Sequence, residues 1–431
     1  MHGLLTDLYE LTMAAGYFEA GMAARTATFE LSIRRLPEKR EFLVAAGLPQ
    51  AMEYLAGLRF DGAEIEYLRS VPQLKGASPA FFENLASFRF EGDVWAAAEG
   101  TPVFAGEPLM TVRGPLWQVQ IAETYLLSMI SFQTLVATKA ARMVEAAAGR
   151  GVVEFGTRRA HSPEAGVLAG RAGYVGGCLG TSNVLTGFRY AIPVYGTAAH
   201  SWVQAFPDEL QAQRALQKLL GPGTIYLIDT YDTREGARKA ASLGRPLWGV
   251  RLDSGDLGAL AREVRKILDD AGLGEAKIMA SGDLNEYKIA ALVEAGAPID
   301  AFGVGTELAT SSDAPALSAI YKLVEIEEPG ATRYTAKFSE DKPTLPGAKQ
   351  IFRRAHNDVV ALAGERMEGV PLLSPVMTSG RLVRPLPDAT AARAHCAESL
   401  AGLGMPHRVD YSSKLLALRD QVRSTVEATH A

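Results

Sequence analysis

A series of short apolar runs between residue 152 and about residue 326, each ending in small or polar residues, is the feature that most constrains this chain. Helix-like stretches separate several of the runs, which is typical of parallel strands joined by helical crossovers. Their starts lie roughly 15 to 30 residues apart, as short crossovers require. The predicted strands lie at residues 152–155, 177–180, 192–195, 224–228, 247–252, 277–280 and 301–304. The pattern predicts an α/β fold whose core is an irregular, TIM-like α/β barrel.

The chain is long enough for more than one domain, since its 431 residues exceed the size at which a single core keeps growing. Residues 94–114 read as strands interrupted at 100–102 and 106–108, which indicates antiparallel β structure outside the barrel. Beyond residue 341, a stretch punctuated by proline and glycine precedes a mostly helical tail. We therefore divide the chain into an N-terminal α+β domain (1–130), the barrel (131–335) and a C-terminal segment (336–431).

Composition excludes several classes of function. The net charge of -5 argues against a nucleic-acid or membrane-surface partner, because either requires an excess of basic residues. Two cysteines are too few for a disulfide framework and fit a reducing compartment. The apolar N-terminal stretch contains Asp7 and Glu10, which is wrong for a signal peptide, and no run approaches the roughly 18 apolar residues of a membrane span. The expected location is the cytoplasm.

Polar residues cluster directly after the predicted strands, and these strand ends open onto the ligand-binding face of an α/β barrel. The clusters lie at residues 155–159, 180–183, 196–201, 251–256, 281–283 and 302–306. Glycine beside serine or threonine lets backbone N–H groups approach an anion closely, so the pattern predicts a phosphate-binding site. The alternative is that these glycines only permit tight turns between strands and helices.

Charged side chains in the clusters suit a sugar phosphate. The arginines offer planar guanidinium groups for carboxylate or phosphate, and the aspartates could bind ribose hydroxyls or a magnesium ion. These candidates are Arg158, Arg159, Arg251, Asp253, Asp256 and Asp283. For Arg159 the alternative is a surface salt bridge, and for Asp256 it is capping of the helix that begins there.

One histidine stands out from the others. His200 follows the glycine turn after the run 192–195, where an imidazole could act as acid, base or nucleophile. His161 could instead contact the arginine loop, and the remaining histidines, His2, His356, His395, His407 and His430, have no supporting neighbours. Cys178 has the small apolar surroundings of a buried strand residue, with no partners for a thiolate nucleophile.

Over nearly its whole length the sequence resembles the nicotinate phosphoribosyltransferase family. The matching motifs, in the family's order, are Thr6–Thr12, Glu154–Gly156, Gly180–Val184, Gly196–Thr197 with His200–Ser201, Arg251–Asp256 and Phe302–Thr306. The resemblance implies an N-terminal α+β domain completed by part of the C-terminal segment, and a barrel related to that of quinolinate phosphoribosyltransferase. It also implies a homodimer whose sites lie at the interface.

The implied reaction is nicotinate plus 5-phosphoribosyl 1-pyrophosphate, ATP and water giving nicotinate mononucleotide, pyrophosphate, ADP and phosphate, with Mg²⁺ accompanying the phosphates. His200 occupies the position of the histidine that ATP phosphorylates in this family. Tyr9 and Phe155 match the aromatic faces that sandwich the pyridine ring, Tyr9 from the other subunit. Arg251 and Thr197 match positions that contact nicotinate.

The resemblance also assigns residues to the phosphoribosyl donor. They are Arg158, Asp253, Ser281, Gly282, Asp283, Gly303, Gly305 and Thr306. The metal ligands are not identified by it. The chain departs from many relatives at Glu307, where they have arginine and where an acidic group would repel phosphate, and at Thr157, where they have leucine.

Other functions compete with this interpretation. A nicotinamide phosphoribosyltransferase shares the fold but has an aspartate where this chain has Ser182, and an aspartate would repel an anionic substrate in a dry site. A barrel protein that binds a phosphate ligand without turnover is a second alternative, against which His200, Arg251 and Asp253 argue. A phosphosugar aldolase or isomerase would need a lysine at a strand end to form a Schiff base, and none stands there.

Overall fold

The computed structural model describes residues 3–339 and 342–430, so His2 lies outside the described residues. The chain forms two compact units. The first comprises Met1–Leu135, Ala316–Pro387 and Ala394–Ala431, and the second comprises Val136–Pro315 and Asp388–Arg393. The first unit is therefore built from the N-terminal segment and most of the C-terminal segment of the chain.

Helices occupy both units. The α-helices are α1 Leu8–Glu19, α2 Leu48–Gly57, α3 Gly62–Ser70, α4 Pro79–Ala86, α5 Leu116–Ile121, α6 Glu123–Ala146, α7 Pro163–Val175, α8 Val184–Tyr190, α9 His200–Gln204, α10 Glu209–Leu220, α11 Thr233–Leu243, α12 Leu257–Asp270, α13 Glu286–Glu294, α14 Thr306–Ala309, α15 Ala389–Ala401 and α16 Ser413–His430. Short 3₁₀ helices span Pro72–Leu74, Thr157–Arg159 and Gly221–Gly223. In the part of the chain that is described, no helix combines the length and apolar character needed to cross a membrane.

The strands form four sheets. They are β1 Thr26–Ile33, β2 Leu43–Val44, β3 Asp93–Ala97, β4 Pro102–Val103, β5 Pro108–Pro115, β6 Gly151–Glu154, β7 Gly180–Thr181, β8 Ile225–Leu227, β9 Gly249–Leu252, β10 Lys277–Ala280, β11 Ala301–Val304, β12 Ala319–Glu328, β13 Ala331–Tyr334, β14 Lys349–Arg353, β15 Asn357–Leu362, β16 Val370–Pro371, β17 Leu373–Thr378, β18 Arg381–Leu382 and β19 Arg408–Tyr411.

The second unit contains a six-stranded sheet in the order β7-β6-β11-β10-β9-β8, in which every neighbouring pair is parallel. Every residue of β11 is buried, as expected of a parallel strand covered on both faces. Five of the predicted strands correspond to β6, β8, β9, β10 and β11. The prediction of a mixed α/β fold with a parallel sheet is confirmed.

Two predicted strands of this region are wrong as drawn. Gly177 and Cys178 form the turn after helix α7, since their N–H groups donate to carbonyls of that helix, and strand β7 spans only Gly180–Thr181. Cys178 is buried as predicted, but it lies in this turn rather than in a strand. In the run 192–195, only Val194 forms a β-bridge, to Thr181, because the adjacent Pro193 has no N–H to donate.

The first unit contains the antiparallel structure predicted between residues 94 and 114. Strands β3 and β5 pair in a seven-stranded antiparallel sheet of order β13-β12-β1-β5-β3-β17-β18, whereas β4 pairs with β2 in a separate ribbon. The largest hydrophobic core of the described residues packs here and includes Phe29, Tyr54, Phe81 and Val112.

The prediction of a mostly helical C-terminal tail is wrong. Strands β14, β15, β16 and β19 form a third sheet, and β17 and β18 extend the antiparallel one. Apolar residues such as Ile351 and Val360 occupy two runs separated by a short turn, so these runs pair as a hairpin that buries both side chains. Helices α15 and α16 account only for the last part of the chain.

Candidate active site

Seven of the predicted site residues line one cavity of the second unit, with a volume of about 590 Å³. They are Phe155, Arg158, Ser182, Thr197, His200, Arg251 and Asp253. Each follows or ends a strand of the parallel sheet, apart from Thr197 and His200, which follow the bridge at Val194. The carboxyl ends of parallel strands lie at one edge of a sheet, and this brings the residues together despite their separation in sequence.

Arg251 is held in place by three neighbours. It lies at the end of β9, where its Nε donates to Ser281 Oγ at 2.7 Å, Nη1 to Thr197 Oγ1 at 2.8 Å and Nη2 to Asp253 Oδ1 at 2.5 Å. Its side chain is 15% exposed, and its Cζ lies 5.8 Å from the centre of the Phe155 ring. The guanidinium group is therefore a fixed cation beside an aromatic ring, suited to a planar carboxylate.

Asp253 is the anionic member of this group. Burial raises the pKa of its carboxyl, but the charge of Arg251, hydrogen bonds from Ser281 and Arg251, and the nearby His200 together lower it below the usual value. Ser281 Oγ donates to Asp253 Oδ1 at 2.5 Å. Asp253 is therefore ionised at neutral pH, where it balances the charge of Arg251.

Sequence reasoning missed Asp229 and Thr230, which follow β8. Asp229 Oδ2 accepts hydrogen bonds from the Asp253 backbone N–H at 2.9 Å and from Ser254 Oγ at 2.7 Å. Its Oδ1 is buried and has no hydrogen-bond partner among the described residues. Both residues directly follow the predicted strand 224–228, so the rule that found the other clusters would have found them as well.

His200 is the first residue of α9 and is accessible from the cavity. Its Nδ1 lies 3.1 Å from Thr230 Oγ1, and its Nε2 lies 3.8 Å from Asp253 Oδ2. The side chain is 42% exposed. With Nδ1 engaged by a hydroxyl, Nε2 is the ring nitrogen available to a ligand.

Phe155 forms an aromatic wall whose position requires glycine at residue 303. A Cβ atom at Gly303 would lie 2.6 Å from Phe155 Cδ2, too close for any other residue type. The preceding Glu154 is fully buried, and its carboxylate accepts hydrogen bonds from the Gly156 N–H and from Thr181 Oγ1. Glu154 thus joins the segments that carry Phe155 and Ser182. Glu154 was identified from the sequence only as the first residue of a family motif, and no such role was predicted for it.

The residues assigned to the donor lie beside the cavity rather than on its lining, apart from Arg158 and Asp253. Ser281 contacts Arg251 and Asp253 directly. Gly282 has φ +98°, and a Cβ there would lie 2.1 Å from the Asp253 carbonyl oxygen, so the close approach requires glycine. Asp283 is exposed, and Gly303, Gly305 and Thr306 occupy the end of β11 and the start of α14.

Other candidates lie elsewhere. Tyr9 belongs to α1 in the first unit and is 45% exposed. Asp256 Oδ1 accepts the Ala259 N–H at 3.0 Å, so the prediction that it caps α12 is confirmed. Arg159 and His161 are exposed and do not line the cavity.

Comparison with known proteins assigns the chain to a family. The models described as the nicotinate phosphoribosyltransferase (NAPRTase) N-terminal domain and the nicotinate phosphoribosyltransferase (NAPRTase) family match residues 4–131 and 151–332. The chain is also 46% identical over 392 residues to the nicotinate phosphoribosyltransferase pncB2 of Mycobacterium tuberculosis, covering 88% of this chain and 83% of that protein. The chain belongs to the nicotinate phosphoribosyltransferase family.

Two solved structures have a fold similar to that of this chain. The crystal structure of human nicotinic acid phosphoribosyltransferase is similar with a TM-score of 0.83 and 30% identity, covering 97% of this chain and 100% of that one. The crystal structure of nicotinate-nucleotide pyrophosphorylase from Pyrococcus furiosus is similar with a TM-score of 0.76 and 27% identity, covering 93% and 95%. The cavity described above therefore lies in a fold shared with these enzymes.

Proposed function

We propose that the protein joins nicotinate to the ribose 5-phosphate unit of 5-phosphoribosyl 1-pyrophosphate, forming nicotinate mononucleotide and pyrophosphate in NAD biosynthesis. The observation that carries this proposal is the Arg251 guanidinium, fixed by three side chains 5.8 Å from the ring of Phe155. A flat ring that bears a carboxylate fits this pair, because the carboxylate can bind the guanidinium while the ring stacks on the aromatic face.

Ser182 favours nicotinate over nicotinamide. It lines the cavity, and its backbone N–H donates to the Glu154 carbonyl at 2.8 Å, which fixes its position. A serine hydroxyl can donate a hydrogen bond to a carboxylate, whereas an aspartate would repel it. The alternative is nicotinamide phosphoribosyltransferase activity. The substrate test described below distinguishes the two.

His200 is proposed as the residue that ATP phosphorylates. Its support is the exposed imidazole, with Nδ1 3.1 Å from Thr230 Oγ1 and Nε2 directed toward Asp253. A nucleophilic imidazole nitrogen must carry a free lone pair. Because Nδ1 contacts Thr230, the lone pair of Nε2 is the one proposed to attack the γ-phosphate. Transfer forms a bond from Nε2 to phosphorus and releases ADP, and hydrolysis of the phosphohistidine then returns the neutral ring.

The donor is proposed to bind at Asp253, Arg158 and the adjacent glycine loops, with Mg²⁺. Among the described residues no group of three or more His, Cys, Asp or Glu is arranged to hold a metal ion. Mg²⁺ usually binds through one or two carboxylates together with substrate phosphates, and the unpartnered Oδ1 of Asp229 beside Asp253 fits that mode. Such an ion would offset the negative charge of the donor's diphosphate.

The parallel sheet is proposed to curve into an irregular α/β barrel. In the order of the strands, β8 and the bridge at Val194 stand at opposite ends. Thr230 follows β8 and His200 follows the bridge, and these two side chains are in contact. Opposite ends of a flat sheet would not meet, so the contact supports curvature toward closure.

A homodimer is proposed, with Tyr9 of each subunit reaching the cavity of the other. Its support is the group of exposed apolar side chains at the start of the chain, Leu5, Leu8, Tyr9 and Met13. Large apolar side chains exposed close together in the sequence favour an interface there. The first unit is proposed to be the N-terminal α+β domain, completed by part of the C-terminal segment.

The decisive experiment is product analysis with purified protein, donor and Mg²⁺. Nicotinate, nicotinamide and quinolinate are offered separately, with and without ATP, and mononucleotide and pyrophosphate are measured. We expect turnover of nicotinate, with ATP consumed and the rate increased. Comparable kcat/KM for nicotinamide would overturn the assigned substrate, and absence of pyrophosphate release with all three would leave a ligand-binding protein without this activity.

A further inference from the structure

Lys139 is a buried cation that the proposed chemistry does not use. It lies on α6 with its side chain 1% exposed, and its Nζ is 2.7 Å from Glu286 Oε2 and 2.8 Å from Asp313 Oδ1. A third carboxylate oxygen, Glu307 Oε2, lies 3.8 Å from the same nitrogen. Lysine is almost never buried this completely without anionic partners, so this cluster of charges is a built feature of the second unit.

Two of the acidic partners follow the loops assigned to the donor. Glu286 opens α13, shortly after Ser281, Gly282 and Asp283. Glu307 is the second residue of α14, directly after Gly305 and Thr306. Lys139 therefore connects the loop that follows β10 with the loop that follows β11 through a single ammonium group.

Arg142 supports one side of this connection. Its Nη1 lies 3.0 Å from Glu286 Oε1 and 3.3 Å from Asp313 Oδ2. Ion pairs with Lys139 and Arg142 therefore hold the Glu286 side chain from both sides of its carboxylate. Lys139 also lies within ion-pair distance of Glu307, and this contact joins the two sides.

We propose that Lys139 is a positioning residue for the phosphoribosyl donor, fixing the loop 281–283 relative to Gly305 and the start of α14 through Glu286 and Glu307. The inference rests on the proposed function, which places the donor at these loops. Glu307 then does not act on the donor by repulsion, because its Oε2 accepts a hydrogen bond from Ser312 Oγ at 2.5 Å and faces Lys139. Loops already held apart at the right spacing bind the donor without first losing conformational freedom.

The change Glu307→Gln distinguishes positioning from repulsion by the sign of its effect. If Glu307 anchors its loop, removing its charge should raise the donor Kd, by about threefold to tenfold. If Glu307 repels the donor, the same change should lower the Kd, and that outcome, or an unchanged Kd, overturns the inference. Glu275→Gln is the matched control, because Glu275 is exposed and makes no ion pair among the described residues.

Lys139→Met tests the lysine itself. The donor Kd should rise by about tenfold or more, and by more than the nicotinate Kd, since Arg251 keeps its hydrogen bonds to Thr197 and Asp253 when the loop 281–283 is released. Loss of folding is controlled with Lys139→Met/Glu286→Gln, which removes the charge of the buried carboxylate that has lost one of its two cationic partners. We expect the double variant to regain Tm but not donor affinity. Recovery of both would show a structural role only.

Donor binding is measured by calorimetry with 5-phosphoribosyl 1-pyrophosphate and Mg²⁺, so the readout does not depend on turnover. A wild-type protein that binds the donor but forms no mononucleotide would contradict the proposed function. The donor Kd of the variants would still test the positioning role in that case. A wild-type protein that does not bind the donor would overturn the inference.

Discussion

At the scale of single residues, Arg251 is the proposed partner of the substrate carboxylate. Its guanidinium is 15% exposed and is oriented by Ser281, Thr197 and Asp253. Arg251→Ala should weaken nicotinate binding by about 2–5 kcal/mol, because a carboxylate in the cavity would lose its charged partner. The ratio of kcat/KM for nicotinate to that for nicotinamide should fall as well. Retained nicotinate affinity would show that the carboxylate binds elsewhere.

The proposed phosphorylation of His200 by ATP can be tested directly. Incubation with γ-labelled ATP, alkaline quenching and mass spectrometry should place an acid-labile phosphate on His200. The variant His200→Ala should lose both the label and the ATP-stimulated rate, since no other histidine among the described residues lines the cavity. His161→Ala serves as the control, because His161 is exposed outside the cavity and its removal should leave the label in place. ATP consumption without label on His200 would refute the role.

At the scale of elements, the anchoring of α1 depends on a buried carboxyl group. Glu10 is fully buried and accepts hydrogen bonds from the Thr124 N–H at 2.8 Å and from Thr124 Oγ1 at 2.6 Å. Burial raises its pKa from 4.5 to about 7, although hydrogen bonds from Thr124 and Thr6 act in the opposite direction. The helix that carries Tyr9 is therefore tied to the start of α6 by a group that titrates near neutral pH.

The raised pKa of Glu10 predicts a specific pH dependence of stability. Between pH 4.5 and about 7 the unfolded chain releases this proton while the folded protein retains it, so the free energy of unfolding falls as pH rises. Glu10→Gln cannot ionise and should gain Tm relative to the wild type across this window, with the difference levelling off above it. Glu53→Gln, at an exposed position of α2, is the control for the same change of side chain without burial. A constant difference for Glu10→Gln would contradict the assignment.

At the scale of the whole molecule, the proposed dimer makes a complementation test possible. Tyr9→Ala should weaken nicotinate binding, since aromatic stacking contributes about 0.5–1.5 kcal/mol beyond the buried area. If Tyr9 serves the partner's cavity, a heterodimer of Tyr9→Ala and His200→Ala has one intact site. Equal mixing should then restore up to about one quarter of wild-type activity, as two-fold symmetry requires. Heterodimers that form without restored activity would place both residues in one site of one chain.

The sequence by itself determined the parallel strands and the polar residues at their ends. β10 and β11 coincide with the predicted runs 277–280 and 301–304, because short β-type apolar runs bounded by glycine and polar residues are a local signal. The cap on α12 is local for the same reason, since Asp256 and Ala259 are three positions apart. Cavity residues such as Arg251 and His200 were predictable because every parallel strand presents its carboxyl end at the same edge of a sheet.

Only the tertiary structure decided which of these residues touch. Arg251 binds Thr197, which lies 54 positions away. Lys139 on α6 pairs with Glu286 and Glu307, which lie at the starts of helices α13 and α14. The hairpin of β14 and β15 was missed although its signal is local, whereas the parallel pairing of β15 with β19 joins strands on either side of helix α15. Such contacts depend on strand order and on the direction in which each loop leaves its strand, and a local periodicity carries neither.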